Sequence, residues 1–196
     1  MPITSIDVVA LDAQAVRTTI DLVSLAAADD WRKPTPCEGW TLYGLVAHMT
    51  AQHYGFAAAS TGVGELSAWG WRPLGDDPVA AYRAAAEHVL AAFAEDGVLE
   101  RIFPLPEFGA EVPGAQAAGF HLVDYVVHGW DVAKTLGVSV EFAPEVLDAT
   151  LEIAKAVPDG EMRRAPGSSF GPVVAYSGGV KLDHIVALLG RSPSWR

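Results

Sequence analysis

The chain has 196 residues, of which 51% are hydrophobic and 19% are charged, and its mean hydropathy is +0.23. This composition is sufficient for a compact domain with its own core and excludes disorder over most of the length. The net charge of −11 excludes the basic surface that nucleic-acid binding requires, and it disfavours anionic membranes as partners.

The first half of the chain is predicted to form three helices separated by loops. Apolar residues at helical spacing predict a helix over residues 5–29. A proline-containing turn, WRKPTPCEGWT, follows, and Thr41 is a suitable N-cap for a second helix over residues 42–59. A glycine-rich aromatic loop comes next. Asp77 can then cap a third helix through VAAYRAAAEHVLAAFAE, with Pro78 in its first turn.

The second half is predicted to contain one long helix and several shorter elements. The sequence GVLERIFPLPEFGAEVPG predicts either a loop or a small hairpin, because proline and glycine separate its two apolar runs. A fourth helix is predicted over residues 114–136, and Gly137 ends it. A shorter fifth helix is predicted in FAPEVLDATLEIAKAVP, with Pro144 near its start. The stretch DGEMRRAPGSSFGPVVAYSGG is predicted to be irregular, and VKLDHIVALLG is a last short helix.

These elements predict an all-α protein. We expect a four-helix bundle over residues 1–140, with residues 141–196 forming an appendage of small helices and irregular chain packed on it. The amino terminus lacks the basic and apolar segments of a secretion signal, and no apolar stretch reaches the roughly 18 residues of a membrane span. The sequence therefore predicts a cytoplasmic protein that binds neither membrane nor nucleic acid.

Metal-capable side chains recur along the fourth helix. Asp124 and His128 are four residues apart, so they lie on the same face, one turn from each other. His121 lies about 10.5 Å along the axis from His128, too far for both rings to share an ion with bonds of about 2.0–2.1 Å. Asp131 could accept a hydrogen bond from an imidazole N–H. Asp124 and His128 are therefore the best ligand pair, and a third ligand must come from another helix.

The second helix offers two histidines for that third position. His48 and His53 point roughly 140° apart, so only one of them is expected to face the bundle interior. The apolar neighbours of His48 predict that it is the buried candidate, whereas His53 has more polar surroundings. A lone histidine on an apolar face is more often a hydrogen-bonded core residue than a ligand. The Asp124–His128 pair is stronger evidence, since a carboxylate in an apolar stripe is costly unless paired or metal-bound.

Three sequence blocks carry a family resemblance: WRKPTPCEGWTLYGLVAHM, LVDYVVHGWDVAKTLG and LDHIVALLGRSP. In this order they resemble the DinB-like metal-binding proteins of the mycothiol-dependent maleylpyruvate isomerase type. The resemblance implies a DinB-like four-helix bundle in which two histidines and one carboxylate, here His48, Asp124 and His128, hold a divalent ion, commonly zinc. The best-known isomerase of this type has Glu where this chain has Asp124, and its C-terminal domain is longer than the tail here.

The resemblance also implies a chemistry. Two histidines and a carboxylate leave a coordination position open, where mycothiol would bind as a thiolate and attack a small electrophilic substrate in an isomerase or S-transferase. Arg83 resembles an arginine that the isomerases use to hold a carboxylated substrate or the thiol; an ordinary surface arginine is the alternative. The same ligands could activate water in a hydrolase or lyase, or they could belong to a non-enzymatic small-molecule-binding bundle. They also suit Ni²⁺, Fe²⁺ or Mn²⁺.

The remaining chemically capable residues receive plainer interpretations. Cys37, the only cysteine, excludes a disulfide framework and is predicted to be a packed residue rather than a nucleophile. His88 and His184 lack a carboxylate at ligand spacing and are predicted to be structural or on the surface. Trp69 and Trp71 could form a lid over the site or a plug at one end of the bundle.

Overall fold

The computed structural model describes residues 5–165 and 168–196. Six α-helices form within these residues, as the all-α prediction requires: α1 (Ser5–Val23), α2 (Leu42–Ala59), α3 (Pro78–Phe93), α4 (Gly114–Leu136), α5 (Pro144–Ala156) and α6 (Lys181–Leu188). Two short strands, β1 (Ile102–Leu105) and β2 (Ala110–Pro113), pair antiparallel. Of the two alternatives for this stretch, the hairpin is the one that forms.

Local signals set most of the helix boundaries. The side chain of Thr41 accepts a hydrogen bond from the Gly44 amide at 3.3 Å, and Asp77 caps α3 through the Ala80 amide at 2.9 Å. Gly137, with a φ of 71°, ends α4 in the left-handed conformation that glycine favours.

The prediction for α1 was too long at its carboxyl end. The helix ends at Val23 rather than at residue 29. The Asp30 carboxylate accepts a hydrogen bond from the Ala27 amide at 2.8 Å, which closes a turn, and Leu25 is 60% exposed. A helix continuing through this segment would lose that turn and would gain no buried apolar contact from Leu25.

The four long helices enclose a shared apolar core. Helix α1 packs against α4 and α3, and α2 packs against α3 and α4. Helix α5 lies on α4 and α1, and α6 lies on α5 and α4. Buried Arg163 ties down the chain between α5 and α6 by donating to carbonyl oxygens of Val157, Pro158, Gly171 and Leu188. The division of the chain at residue 140 stays a prediction.

Two predictions fall partly outside the described residues. The absence of a secretion signal concerns a segment that includes residues 1–4, and the irregular stretch after α5 includes Pro166 and Gly167. Among the helices of the described ranges, none is both long enough and apolar enough to cross a bilayer.

Candidate metal centre

Helices α2 and α4 bring the three predicted ligands together. His48, Asp124 and His128 each offer one ligand atom, and these atoms lie within 4.8 Å of one another. The two imidazole rings meet edge to face, with centroids 5.5 Å apart and planes at 85°. Asp124 Oδ1 lies 3.3 Å from His128 Nε2. The predicted convergence of a side chain from α2 with a pair from α4 is therefore present in the fold.

The orientation of the His128 ring is fixed from its other side. Its Nδ1 lies 2.9 Å from Asp131 Oδ2, the contact that the sequence analysis predicted. Because a carboxylate only accepts hydrogen bonds, Nδ1 carries a proton, which leaves Nε2 as the ring nitrogen on the side of Asp124. Arg191 donates to the same Asp131 oxygen at 3.2 Å, so the carboxylate is paired with a cation although it is fully buried.

The donor atoms fit a divalent cation. His128 Nε2 and Asp124 Oδ1 are both acceptors, and they lie 3.3 Å apart, which is favourable only with a proton or cation between them. Asp124 Oδ2 is buried and has no hydrogen-bond partner in the described part of the chain. Burial and the neighbouring His128 lower the pKa of His48 to about 4, so its ring is neutral near pH 7, the form that coordinates metals. Two imidazoles and a carboxylate match a zinc ligand set.

The centre lies near the surface, between aromatic side chains. Trp40, which is 36% exposed, packs over His48 with ring centroids 5.1 Å apart. The Asp124 side chain remains 22% exposed, so a small molecule can approach from this side. Phe120 lies one turn before Asp124 on α4, and its ring lies 6.1 Å from that of Phe108, next to the tip of the hairpin.

Two residues at the centre had no assigned role in the sequence analysis. Cys37 lies within 4.8 Å of ligand atoms of His128 and Asp131, and Arg191 supplies the buried cation described above. Both residues occur in blocks that carry the family resemblance, which was the only available signal for them. Burial raises the pKa of the Cys37 thiol to about 11, in agreement with the prediction that it is packed rather than nucleophilic.

His53 contradicts the expectation that only one histidine of α2 faces the interior. It is fully buried, whereas His48 is partly exposed at the rim of the site. The expectation failed because α2 has buried residues around nearly its whole circumference, so the side of α2 that carries His53 is covered as well. His121 is also fully buried; it is not part of the His48–Asp124–His128 group, and its Nδ1 lies 2.6 Å from Asp12 Oδ1.

Other candidates lie outside the ligand group. Arg83 is exposed on α3, and no ion pair of Arg83 is found among residues 5–165 and 168–196, so its substrate-binding role stays a prediction. Trp69 is 4% exposed and packs on α2 against Phe56, with ring centroids 5.0 Å apart, which favours the plug interpretation for this residue. Trp71 is 61% exposed.

Comparisons with known proteins agree with this architecture. The family model described as the mycothiol maleylpyruvate isomerase N-terminal domain matches residues 13–133. Two Mycobacterium tuberculosis proteins, Uncharacterized protein Rv0738 and Uncharacterized protein MT0763, are each 32% identical over 154 residues, which covers 76% of this chain and 78% of each relative.

The crystal structure of the mycothiol-dependent maleylpyruvate isomerase matches with a TM-score of 0.62 at 16% identity, over 99% of this chain and 91% of that chain. A histidine-to-alanine mutant of that isomerase matches with a TM-score of 0.54 at 16% identity, over 77% of this chain and 68% of that chain. These matches confirm the predicted DinB-like fold.

Proposed function

Because the chain belongs to the mycothiol maleylpyruvate isomerase N-terminal domain family, we propose that it is a metal-dependent enzyme that uses mycothiol as a cosubstrate. It would add the thiol to a small electrophilic substrate, either to isomerise the substrate or to transfer the thiol to it. The observation that carries the proposal is the convergence of His48, Asp124 and His128 from two helices.

The divalent ion, for which zinc is proposed, would be held by His48, Asp124 and His128, and Ni²⁺, Fe²⁺ and Mn²⁺ suit the same atoms. When bound, the ion lowers the pKa of a thiol, so that the thiolate forms near neutral pH. Asp131 keeps the proton of His128 on Nδ1 and thereby keeps Nε2 available as a ligand. Arg191 offsets the buried charge of Asp131.

The reaction itself needs few protein groups. The sulfur of the thiolate would form a bond to one carbon of a substrate double bond, and the π electron pair would move onto a conjugated carbonyl group. In an isomerase, the adduct rotates about the resulting single bond, the double bond re-forms and the thiolate leaves. In a transferase, the adduct takes up a proton equivalent to the one that the thiol released, and it is the product. The partly exposed edge of Asp124 and the ring of Trp40 lie at the open side of the centre, where both reactants would enter.

Arg83 is proposed to bind a carboxylate of the substrate or the thiol. Arg83→Ala is then expected to raise KM for a carboxylated substrate, with kcat less affected, because it removes a binding contact that does not change during the reaction. Arg17→Ala is the matched control, since Arg17 is also an exposed arginine on a long helix. Equal KM values for the two variants would show that Arg83 does not bind the substrate or the thiol.

Thiol binding by the metal-loaded protein tests the proposal. We expect calorimetry to detect mycothiol binding, and we expect His128→Ala to abolish it while His88→Ala, which alters an exposed histidine, preserves it. The cobalt-substituted protein should gain a sulfur-to-metal charge-transfer band when mycothiol is added. The spectrum should be recorded on the Cys37→Ser variant. The Cys37 sulfur lies beside His128, and its removal ensures that any sulfur-to-metal band comes from mycothiol.

Other outcomes would favour other functions. Catalysis without a charge-transfer band would favour a hydrolase or lyase that uses water. Ligand binding that survives in His128→Ala would favour a non-enzymatic binder.

A further inference from the structure

A second polar cluster lies inside the bundle, next to the proposed metal centre. His53 on α2 and His121 on α4 are both fully buried, and His53 Nδ1 lies 3.1 Å from His121 Nε2. The other nitrogen of His121, Nδ1, lies 2.6 Å from Oδ1 of Asp12, a residue of α1 that is 1% exposed. Burying three titratable groups is costly unless each is hydrogen-bonded, and here each of the three has a partner within the cluster.

The cluster continues to the fourth long helix. His53 Nε2 lies 3.4 Å from the hydroxyl of Tyr82 on α3, a long contact. The Tyr82 hydroxyl lies 2.5 Å from Thr19 Oγ1, and the Thr19 hydroxyl donates to the Val16 carbonyl at 2.7 Å. A continuous chain of hydrogen bonds therefore crosses α1, α4, α2 and α3.

Donor counting gives this chain one direction. The Val16 carbonyl only accepts, so Thr19 uses its single proton there, and Tyr82 must donate to Thr19. His53 then donates from Nε2 to Tyr82 and, as a neutral ring, accepts at Nδ1. His121 must consequently donate from Nε2 to His53.

The last bond requires one additional proton. With its Nε2 protonated, His121 can bond to Asp12 only if a further proton lies between Nδ1 and the carboxylate. Burial and the charge of His121 hold the pKa of His53 well below its usual value, so His53 is the neutral ring of the two. The extra proton is therefore shared by Asp12 and His121.

This chain joins the two helices that carry the proposed ligands. His121 lies three residues before Asp124, and His53 lies five residues after His48. Tyr125, which follows Asp124, stacks on His53 with ring centroids 4.1 Å apart and planes at 12°. Its hydroxyl also donates at 2.5 Å to the carbonyl of Met49, the residue that follows His48 in the sequence.

We propose that Asp12, His121 and His53 are positioning residues, which fix α2 against α4 so that His48 converges with Asp124 and His128. These directional hydrogen bonds add to what close apolar packing already fixes, because a helix that slides or rotates would break the chain and leave buried polar groups without partners. The inference rests on the proposed metal function for its purpose, whereas the proton arrangement stands independently of it.

Nitrogen-15 NMR of histidine-labelled, metal-free protein at pH 7 tests the proton arrangement without any mutation. We expect both His53 and His121 to carry a proton on Nε2, and we expect the proton shared with Asp12 to resonate far downfield. A proton on Nδ1 of His53, or a bare Nε2 on His121, would reverse the chain and overturn the inference.

Metal affinity of matched variants tests the positioning role. His53→Leu removes the acceptor for His121, whereas His53→Asn restores a polar group near the place of Nδ1. We expect His53→Leu to weaken zinc binding by about 2- to 30-fold in a chelator competition assay, and we expect His53→Asn to recover most of the loss. His88→Leu, a change at an exposed histidine, should leave zinc affinity unchanged.

Two outcomes of this assay overturn the positioning role: a His53→Leu protein that binds zinc normally, and equal losses in the Leu and Asn variants, which would indicate packing alone. If His53→Leu does not fold, Asp12→Asn, which keeps the shape of Asp12 and removes its charge, takes its place in the same assay, and an unchanged zinc affinity of that variant overturns the positioning role. Failure of the metal proposal is recognised separately, because the unaltered protein would then bind zinc no better than His128→Ala.

Discussion

Asp131 joins the proposed ligand His128 to the carboxyl-terminal part of the chain. Its Oδ2 accepts from both His128 and Arg191, and the carboxylate is fully buried. A buried pair of this kind contributes little net stability compared with apolar residues, but removing one partner leaves the other charge uncompensated. The orientation of the proposed ligand His128 therefore depends on the packing of the carboxyl-terminal part of the chain.

Asp131→Asn should have two effects. Zinc affinity should fall about 10- to 100-fold, because the amide supports the His128 ring less strongly than the carboxylate does. The free energy of unfolding should fall by about 3–5 kcal/mol, because Arg191 stays buried without a counter-charge. Chelator competition and urea denaturation measure the two effects.

Asp148→Asn is the control for this change. Asp148 pairs with Lys181 at the surface, where the Asp148 side chain is 65% exposed and that of Lys181 is 38% exposed, so the expected loss of stability is below about 1 kcal/mol. Similar losses of stability in the two variants would show that Arg191 does not depend on Asp131 as a buried counter-charge.

The residues of the site differ in how well the sequence predicts them. Asp124 and His128 follow from helical periodicity, since side chains four residues apart share a face. The Arg191–Asp131 pair joins positions 60 residues apart, and no local pattern encodes that contact. His53 was misjudged because its burial depends on the helices around α2 rather than on its own sequence neighbours.

At the scale of elements, helix starts and stops follow from single residues. Thr41, Asp77 and Gly137 act through hydrogen bonds or backbone conformation within one turn, so the sequence predicts these boundaries well. The end of α1 depends on a turn closed by Asp30 and was predicted too late. The hairpin remained one of two alternatives because its strands, at four residues each, are too short for a clear alternation.

In the loop between α2 and α3, the Trp69 side chain packs directly against Gly55 of α2. A Cβ at this position would overlap the indole ring of Trp69. Gly55→Ala should therefore expel Trp69 and lower the free energy of unfolding by about 1–3 kcal/mol, despite the higher helix propensity of alanine. Thermal denaturation and the Trp69 contribution to fluorescence report this change.

Gly119→Ala is the matched control, because Gly119 is also inside a long helix. Its Cβ would lie 3.3 Å from the flexible end of Ile153, so stability should be unchanged or slightly higher. A Gly55→Ala protein as stable as Gly119→Ala would contradict the close packing of Trp69 on α2.

At the scale of the whole molecule, buried titratable groups limit the pH range of stability. The pKa of His48 is lowered from 6.5 to about 4 by burial, and that of His53 is lowered as well. Between the two values, the unfolded chain binds protons that the folded protein does not. Stability of the metal-free protein should therefore fall as the pH decreases from about 6.5 to 4.

Buried groups also limit the stability of the folded protein at high pH. Burial raises the pKa of Cys37 from 9.0 to about 11, so the folded protein keeps a proton that the unfolded chain releases. Burial raises the pKa of Tyr82 and Tyr125 above 10.0 as well. Stability should therefore fall as the pH rises above about 9.

Urea midpoints measured from pH 4 to pH 11 check both limits. Cys37→Ser should reduce the loss between pH 9 and 10, where the tyrosines do not yet contribute, and leave the acid side unchanged. The burial of these groups would be contradicted if the urea midpoint increased as the pH rises above 9. It would also be contradicted if the urea midpoints of Cys37→Ser and of the unaltered protein were identical at every pH.

Anomalous diffraction from crystals of the zinc-loaded protein would locate the ion itself. We expect one anomalous peak, bonded to His48, Asp124 and His128, with a further coordination position taken by solvent or added thiol. A peak bonded instead to Cys37, His128 and Asp131, or the absence of any peak at these residues, would contradict this expectation.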